Sequence, residues 1–116
     1  LAAGRRGLKR GNVVTVAAGG GFGGKPRPAL VIQADQIDAS ATVVVALFTT
    51  DLKDIPLTRL RFDPSEENGL RSVSDLMVDV IVTARRDRVG RIIGALSTDD
   101  MAQVDRALLV FLGLAG

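Results

Sequence analysis

Arg27 stands between Pro26 and Pro28, directly after Lys25 and the glycine-rich run Gly19-Gly20-Gly21-Phe22-Gly23-Gly24. Each proline fixes its own φ and drives the preceding residue toward extended geometry. Arg27 is therefore held on a stiff segment that follows one expected to move. A guanidinium is always charged and matches a phosphate with two parallel N–H donors, so this setting can aim one cation at a polyanion. The other reading is a hairpin loop that happens to carry a surface arginine. Further on, Thr49-Thr50-Asp51 closes a valine-rich run. Alternation puts the two threonines on opposite faces of a strand, so one hydroxyl can face a site while the other bonds backbone. Equally, both can be simple strand formers.

The rest of the inventory narrows the chemistry. The chain has neither cysteine nor histidine. That removes disulfides, thiolate metal sites, the commonest general base and every Ser-His or Cys-His nucleophile. Any catalysis must rest on Arg, Lys, Asp, Glu, Ser, Thr and backbone groups. Asp51, Lys53 and Asp54 read as a solvated turn rather than a metal site, because two carboxylates are a thin ligand set. No cofactor is expected. The glycine-rich run lacks a following Gly-Lys-Ser/Thr and is no phosphate-binding loop of the P-loop type. It reads as a flexible flap, Ala17 to Lys25, that gates access to Arg27. Phe22 at its tip either stacks on a base or folds back onto the core. Arg85-Arg86-Asp87-Arg88, the densest basic run, is either a solvated hairpin tip or an edge that contacts phosphates.

These residues need a scaffold. At 116 residues, 47% hydrophobic and 24% charged, the chain is long enough for one core. A formal net charge of +2 permits nucleic-acid binding without demanding it. No apolar run approaches the roughly 18 residues that span a bilayer. Residues 1–9 read as a flexible basic tail and 10–116 as a single domain. Strands are expected at Asn12 to Ala18, Pro28 to Ala34, Thr42 to Thr49, Leu57 to Phe62, Ser74 to Thr83 and Val89 to Leu96. Asp63 to Gly69 is a turn cluster. Ser97 then caps a helix, with Asp100 in the capping-box position, and Met101, Val104, Leu108, Phe111 and Leu112 fall on one face. Strands followed by one helix predict a mainly β fold, a curved antiparallel sheet or open barrel with a C-terminal α-helix.

Taken together, these pieces resemble the MazF/PemK family of bacterial toxins. The most specific element is Lys25-Pro26-Arg27-Pro28-Ala29-Leu30-Val31, similar to the family's Arg-Pro-Ala/Val-Leu-Val signature. Arg10-Gly11-Asn12-Val13-Val14 is similar to its opening Gly-Asp-hydrophobic strand, and Leu47-Phe48-Thr49-Thr50 to its hydrophobic-Thr-Ser/Ala strand end. Ser74 to Thr83 and Ser97 to Leu114 resemble its later strand and terminal helix. The chain departs from the pattern at Asn12, where relatives carry Asp, at Asp79-Val80 and at Val82.

The resemblance implies an SH3-like barrel of the CcdB/MazF/PemK type, a homodimer and a cytoplasmic, metal-independent endoribonuclease that cuts single-stranded RNA. It also implies a cognate antitoxin. Arg27 and Thr49 match the arginine and threonine that relatives use at the cleavage site. Lys25, Thr50, Phe22, Arg85 and Arg86 are the accompanying candidates for RNA contact. Two other readings stand beside this one: a non-enzymatic gyrase poison of the same fold, or an SH3-like binding module without catalysis. The gyrase poison resembled here relies on a C-terminal Trp-Gly-Ile that this chain lacks.

Overall fold

Alternation along three strands decides the architecture. In β1 (Asn12–Ala17) Val13 faces one side of the sheet, while Val14 and Val16 face the other. In β2 (Pro26–Val31) Leu30 takes the first side, with Ala29 and Val31 on the second. In β3 (Thr42–Thr49) the split is Ala46 and Phe48 against Val43, Val45 and Leu47. Every one of these side chains is 3% exposed or less. Burying an aliphatic side chain fully contributes about 1.5–3 kcal/mol, so a sheet packed on both faces carries two cores from one set of strands.

The computed structural model describes residues 7–17 and 25–115. The glycine-rich run and Phe22, and with them the expected flap, lie outside the described residues. Three further strands, β4 (Arg59–Phe62), β5 (Ser74–Arg85) and β6 (Val89–Ala95), complete one antiparallel sheet in the order β4-β5-β3-β2-β1-β6. The helix α1 (Thr98–Phe111) follows. This is the mainly β fold with one C-terminal helix that the strand-then-helix order predicts.

One core lies under α1, where Val104 and Leu108 meet Val13, Leu30, Phe48 and Phe62. Phe48 and Phe62 meet edge to face, with ring centroids 6.3 Å apart; such a pair adds about 0.5–1.5 kcal/mol. The other core gathers the remaining valines with Ala84 of β5 and Val89 of β6. The 12-residue β5 serves both β3 and β4 by bending. Its register on β3 shifts between Ala46↔Ile81 and Phe48↔Leu76, the mark of a bulge. Ser97 caps α1 by accepting a hydrogen bond from the Asp100 N–H at 3.1 Å, a bond whose loss costs about 1 kcal/mol.

Several expectations need correction. Leu8, assigned to the tail, is only 7% exposed and joins the valine-rich core. The second strand starts two residues earlier than expected and ends at Val31, although the Ile32 N–H still donates to the Val44 carbonyl at 3.1 Å. The fourth is confined to Arg59–Phe62, since Pro56 to Thr58 form a turn. On α1, Phe111 and Leu112 are exposed, and the core-facing stripe is Met101, Val104 and Leu108.

Candidate functional site

Proline decides where β2 stops pairing. Pro26 and Pro28 supply no N–H to a neighbour. The β1–β2 ladder runs out to Ala17↔Pro26, whereas β2–β3 pairing ends at Ala29↔Leu47. Continuing that register by two residues sets Arg27 opposite Thr49. The strands part there and leave a cleft of about 270 Å³, lined by Lys25, Pro26, Arg27, Pro28, Phe48, Thr49, Thr50 and Ser74. The structure thus brings Lys25, Arg27, Thr49 and Thr50 together at one end of the sheet.

Thr49 is oriented by its own turn. The Asp51 N–H donates to Thr49 Oγ1 at 3.1 Å, an ST-turn. With one of its two lone pairs engaged, the hydroxyl still has its proton to donate to a ligand oxygen. Ser74, only 2% exposed, instead donates its hydroxyl to the Ser72 carbonyl at 2.9 Å.

A larger groove of about 890 Å³ adjoins the cleft, sharing Lys25, Pro26, Pro28, Thr50 and Ser74 with it. Its other walls carry Thr15, Leu70, Arg71, Ser72, Arg91 and Ile92. Three cations and no carboxylate line it among the described residues. Sequence reasoning missed Thr15, Arg71, Ser72, Ser74 and Arg91. They converge because β6 pairs with β1 across the whole chain length and the β4–β5 turn folds onto β6. Two glycines permit that approach. A Cβ at Gly69, which also holds φ +69°, would overlap the Ile93 carbonyl oxygen, and a Cβ at Gly94 would overlap the backbone of Glu67 and Asn68. Asn68 braces the turn, accepting from the Ser65 and Leu70 N–H groups and donating to the Asp63 carbonyl.

The basic run after β5 goes elsewhere. Arg85 pairs with Thr42, at the opposite end of β3 from Thr49; seven residues of strand make that about 23 Å. Arg86 is 6% exposed, and its guanidinium donates to the carbonyls of Ser40 at 2.7 Å and Ile37 at 3.3 Å. The hairpin tip expected from sequence is a short 3-10 turn, Arg86–Arg88, that latches the β2–β3 loop. Arg85 pairs with Asp87 at 2.6 Å. Neither arginine reaches the cleft.

Comparison with known proteins places this geometry. The family model for the PemK-like, MazF-like toxin of type II toxin-antitoxin systems matches residues 9–112. The chain belongs to that toxin family. A protein of Mycolicibacterium smegmatis described as a probable endoribonuclease MazF is 49% identical over 109 residues, covering 94% of this chain and 100% of its own length. A mycobacterial endoribonuclease solved in complex with its cognate antitoxin superposes with a TM-score of 0.78 at 25% identity, covering 94% of this chain and 98% of that one. The MazF of a MazE-MazF structure from Deinococcus radiodurans shares the fold, with a TM-score of 0.69 at 23% identity over 91% of this chain and 95% of that one.

In this MazF-like toxin, Asn12 keeps the service a carboxylate oxygen would give. Its Oδ1 accepts the Lys9 N–H at 2.8 Å and closes the turn into β1. Val82 joins the valine-rich core, and Asp79 is exposed. Beside the cleft the toxin buries one carboxylate, Asp75, with no solvent exposure. The Arg61 hydrogen bond, the Lys53 N–H and the charges of Arg61 and Arg59 hold its carboxyl below the ordinary range, against burial, which pushes it up. The same hydrogen bond to Asp75 raises Arg61.

Proposed function

We propose that the chain is the toxin of a toxin–antitoxin pair and an endoribonuclease that cuts single-stranded RNA at selected sequences. Family membership and the 49% identical endoribonuclease relative support the activity. The observation that carries the chemistry is the single cleft shared by Arg27 and Thr49, opening onto a groove lined by Lys25, Arg71 and Arg91.

RNA brings its own nucleophile. The 2′-oxygen forms a bond to the adjacent phosphorus, the bond from phosphorus to the 5′-oxygen breaks, and the products are a 2′,3′-cyclic phosphate and a 5′-OH. One proton leaves the 2′-OH and one is delivered to the departing 5′-oxygen. The protein's share is to position the phosphate, stabilise its developing charge and direct those protons. Arg27 stabilises the phosphorane as a fixed cation and is assigned no part in proton transfer. Thr49 donates its hydroxyl proton to a phosphate oxygen. Lys25 and Thr50 hold the flanking backbone, and no metal takes part in this scheme.

Partners follow from the same reading. The groove takes single-stranded RNA, and a cognate antitoxin blocks it; the partner's existence is supported by the mycobacterial endoribonuclease solved in complex with its own antitoxin. A homodimer covers the exposed Leu109, Phe111, Leu112 and Leu114. The deciding experiment incubates purified protein with end-labelled single-stranded RNA in EDTA. Discrete fragments ending in 2′,3′-cyclic phosphate are expected. Intact RNA, or cleavage that needs added metal, would overturn the scheme. Sedimentation should give a dimer at micromolar concentration.

A further inference from the structure

We infer that Asp75, with Arg59 and Arg61, is a positioning device that sets the Thr49 hydroxyl for cleavage; the inference rests on the endoribonuclease reading above. Asp75 lies directly across the β3–β5 ladder from Thr49. Its carboxylate is buried, and Asp75 itself lines neither the cleft nor the groove. What it holds is the segment after Thr49. Asp75 Oδ2 accepts the Lys53 N–H at 2.9 Å, and Oδ1 accepts Arg61 Nε at 2.9 Å. Arg59 Nη1 stands 3.5 Å from Oδ2 and donates to the Asp51 carbonyl at 3.1 Å. Arg61 Nη2 lies 3.4 Å from the Lys53 carbonyl.

The backbone from Asp51 to Lys53 is thus pinned from both sides by one ionic hub. That backbone carries the Asp51 N–H, the donor that fixes Thr49 Oγ1. A shift of the segment frees the threonine to rotate about χ1, and a misdirected hydroxyl no longer meets the phosphate. A buried carboxylate costs desolvation even when arginines pair with it, so the hub is weak evidence for stability on its own. Here its placement behind the reacting threonine gives it a second task.

The test compares cleavage of one RNA oligonucleotide by the full-length wild type, Asp75→Asn, Thr49→Ala and the double variant, alongside thermal melts. A small displacement of a reacting group can cost up to about 100-fold in rate, so kcat for Asp75→Asn should fall about 10- to 100-fold. KM should stay within about 2-fold, because Asp75 does not line the groove. Residues acting as a unit give strongly non-additive losses, so the double variant should be no slower than Thr49→Ala by more than about 2-fold. A folded Asp75→Asn with wild-type kcat, or fully additive losses, would overturn the inference.

If Asp75→Asn does not fold, the partly exposed Arg61 supplies the second arm. Arg61→Lys should keep more kcat than Arg61→Ala, and equal values would overturn the proposal. Amide exchange separates this idea from the activity itself. In Asp75→Asn or Arg61→Ala, the Asp51 and Lys53 amides should exchange several-fold faster while Val13 stays protected. Wild type that leaves RNA intact sinks the nuclease reading. Unchanged Asp51 exchange sinks the positioning device.

Discussion

Asp51 donates its backbone N–H to Thr49 Oγ1 at 3.1 Å, two residues back along the chain. The bond orients the threonine hydroxyl and leaves its proton to be donated toward the cleft. Thr49→Ser should therefore keep cleavage within about 10-fold of wild type, whereas Thr49→Val keeps the shape, loses the donor and should cost about 100-fold or more in kcat. Single-turnover cleavage of a labelled oligonucleotide reads both. Equal rates for the serine and valine variants would remove the hydroxyl from the mechanism.

Arg27 has the sharper requirement. Pro26 and Pro28 hold its backbone, so substitution of the side chain should leave the fold intact. Arg27→Ala should lose about 100- to 1,000-fold in kcat, the usual cost of removing a charge-stabilising donor. Arg27→Lys should recover only part, since an ammonium lacks the paired donors of a guanidinium. A melting temperature near wild type, measured beside the rate, assigns the loss to chemistry rather than unfolding.

The groove should reveal itself through salt. Each phosphate that a cation neutralises on single-stranded RNA contributes about −0.7 to the slope of log affinity against log salt. Arg71→Ala and Arg91→Ala should each flatten that slope by about this amount, raise KM and leave kcat nearly unchanged. Arg85→Ala, about 23 Å away along β3, should leave the slope unaltered. Filter binding over a salt series distinguishes the two groups of arginines.

Acid should weaken the Asp75 hub in a defined direction. Its folded-state pKa is depressed, chiefly by the Arg61 hydrogen bond. A depressed carboxyl stabilises the fold above its unfolded value of about 3.9, and that stabilisation is lost as pH falls through the lower folded value. Denaturant melts should show wild type losing its advantage over Asp75→Asn below about pH 4. A gap between the two that stays constant from neutral pH into that range would contradict the assignment.

Gly94 carries a structural prediction. The β4–β5 turn lies so close to β6 that a Cβ at Gly94 meets the backbone of Glu67 and Asn68. Backbone atoms cannot rotate away as a side chain does, so Gly94→Ala should destabilise by about 3 kcal/mol. Because Gly69, Leu70 and Arg71 line the groove from that turn, RNA affinity should fall with stability. Chemical denaturation and binding on the same variant check both.

The local sequence was enough for several features. The apolar runs around Val13-Val14 and from Val43 to Leu47, and the Ser97 cap of α1, are short-range signals that act within a few residues. Arg27 and Thr49 were legible as residue types, the first through its flanking prolines and the second through its place at a strand end. Their meeting in one cleft came from the β2–β3 register, which no local pattern records. Exposure was harder still. Arg86 looked like a surface cation among Arg85, Asp87 and Arg88, yet its guanidinium is consumed by two carbonyls some 46 to 49 residues away in the chain. Arg71 and Arg91 carried no signal of their own and became one cationic wall only when β6 paired with β1. Propensity and periodicity therefore determined the strands, the helix and the candidate reactive groups. Tertiary structure alone decided which charges face the groove and which are buried, because burial depends on what long-range pairing lays over a side chain.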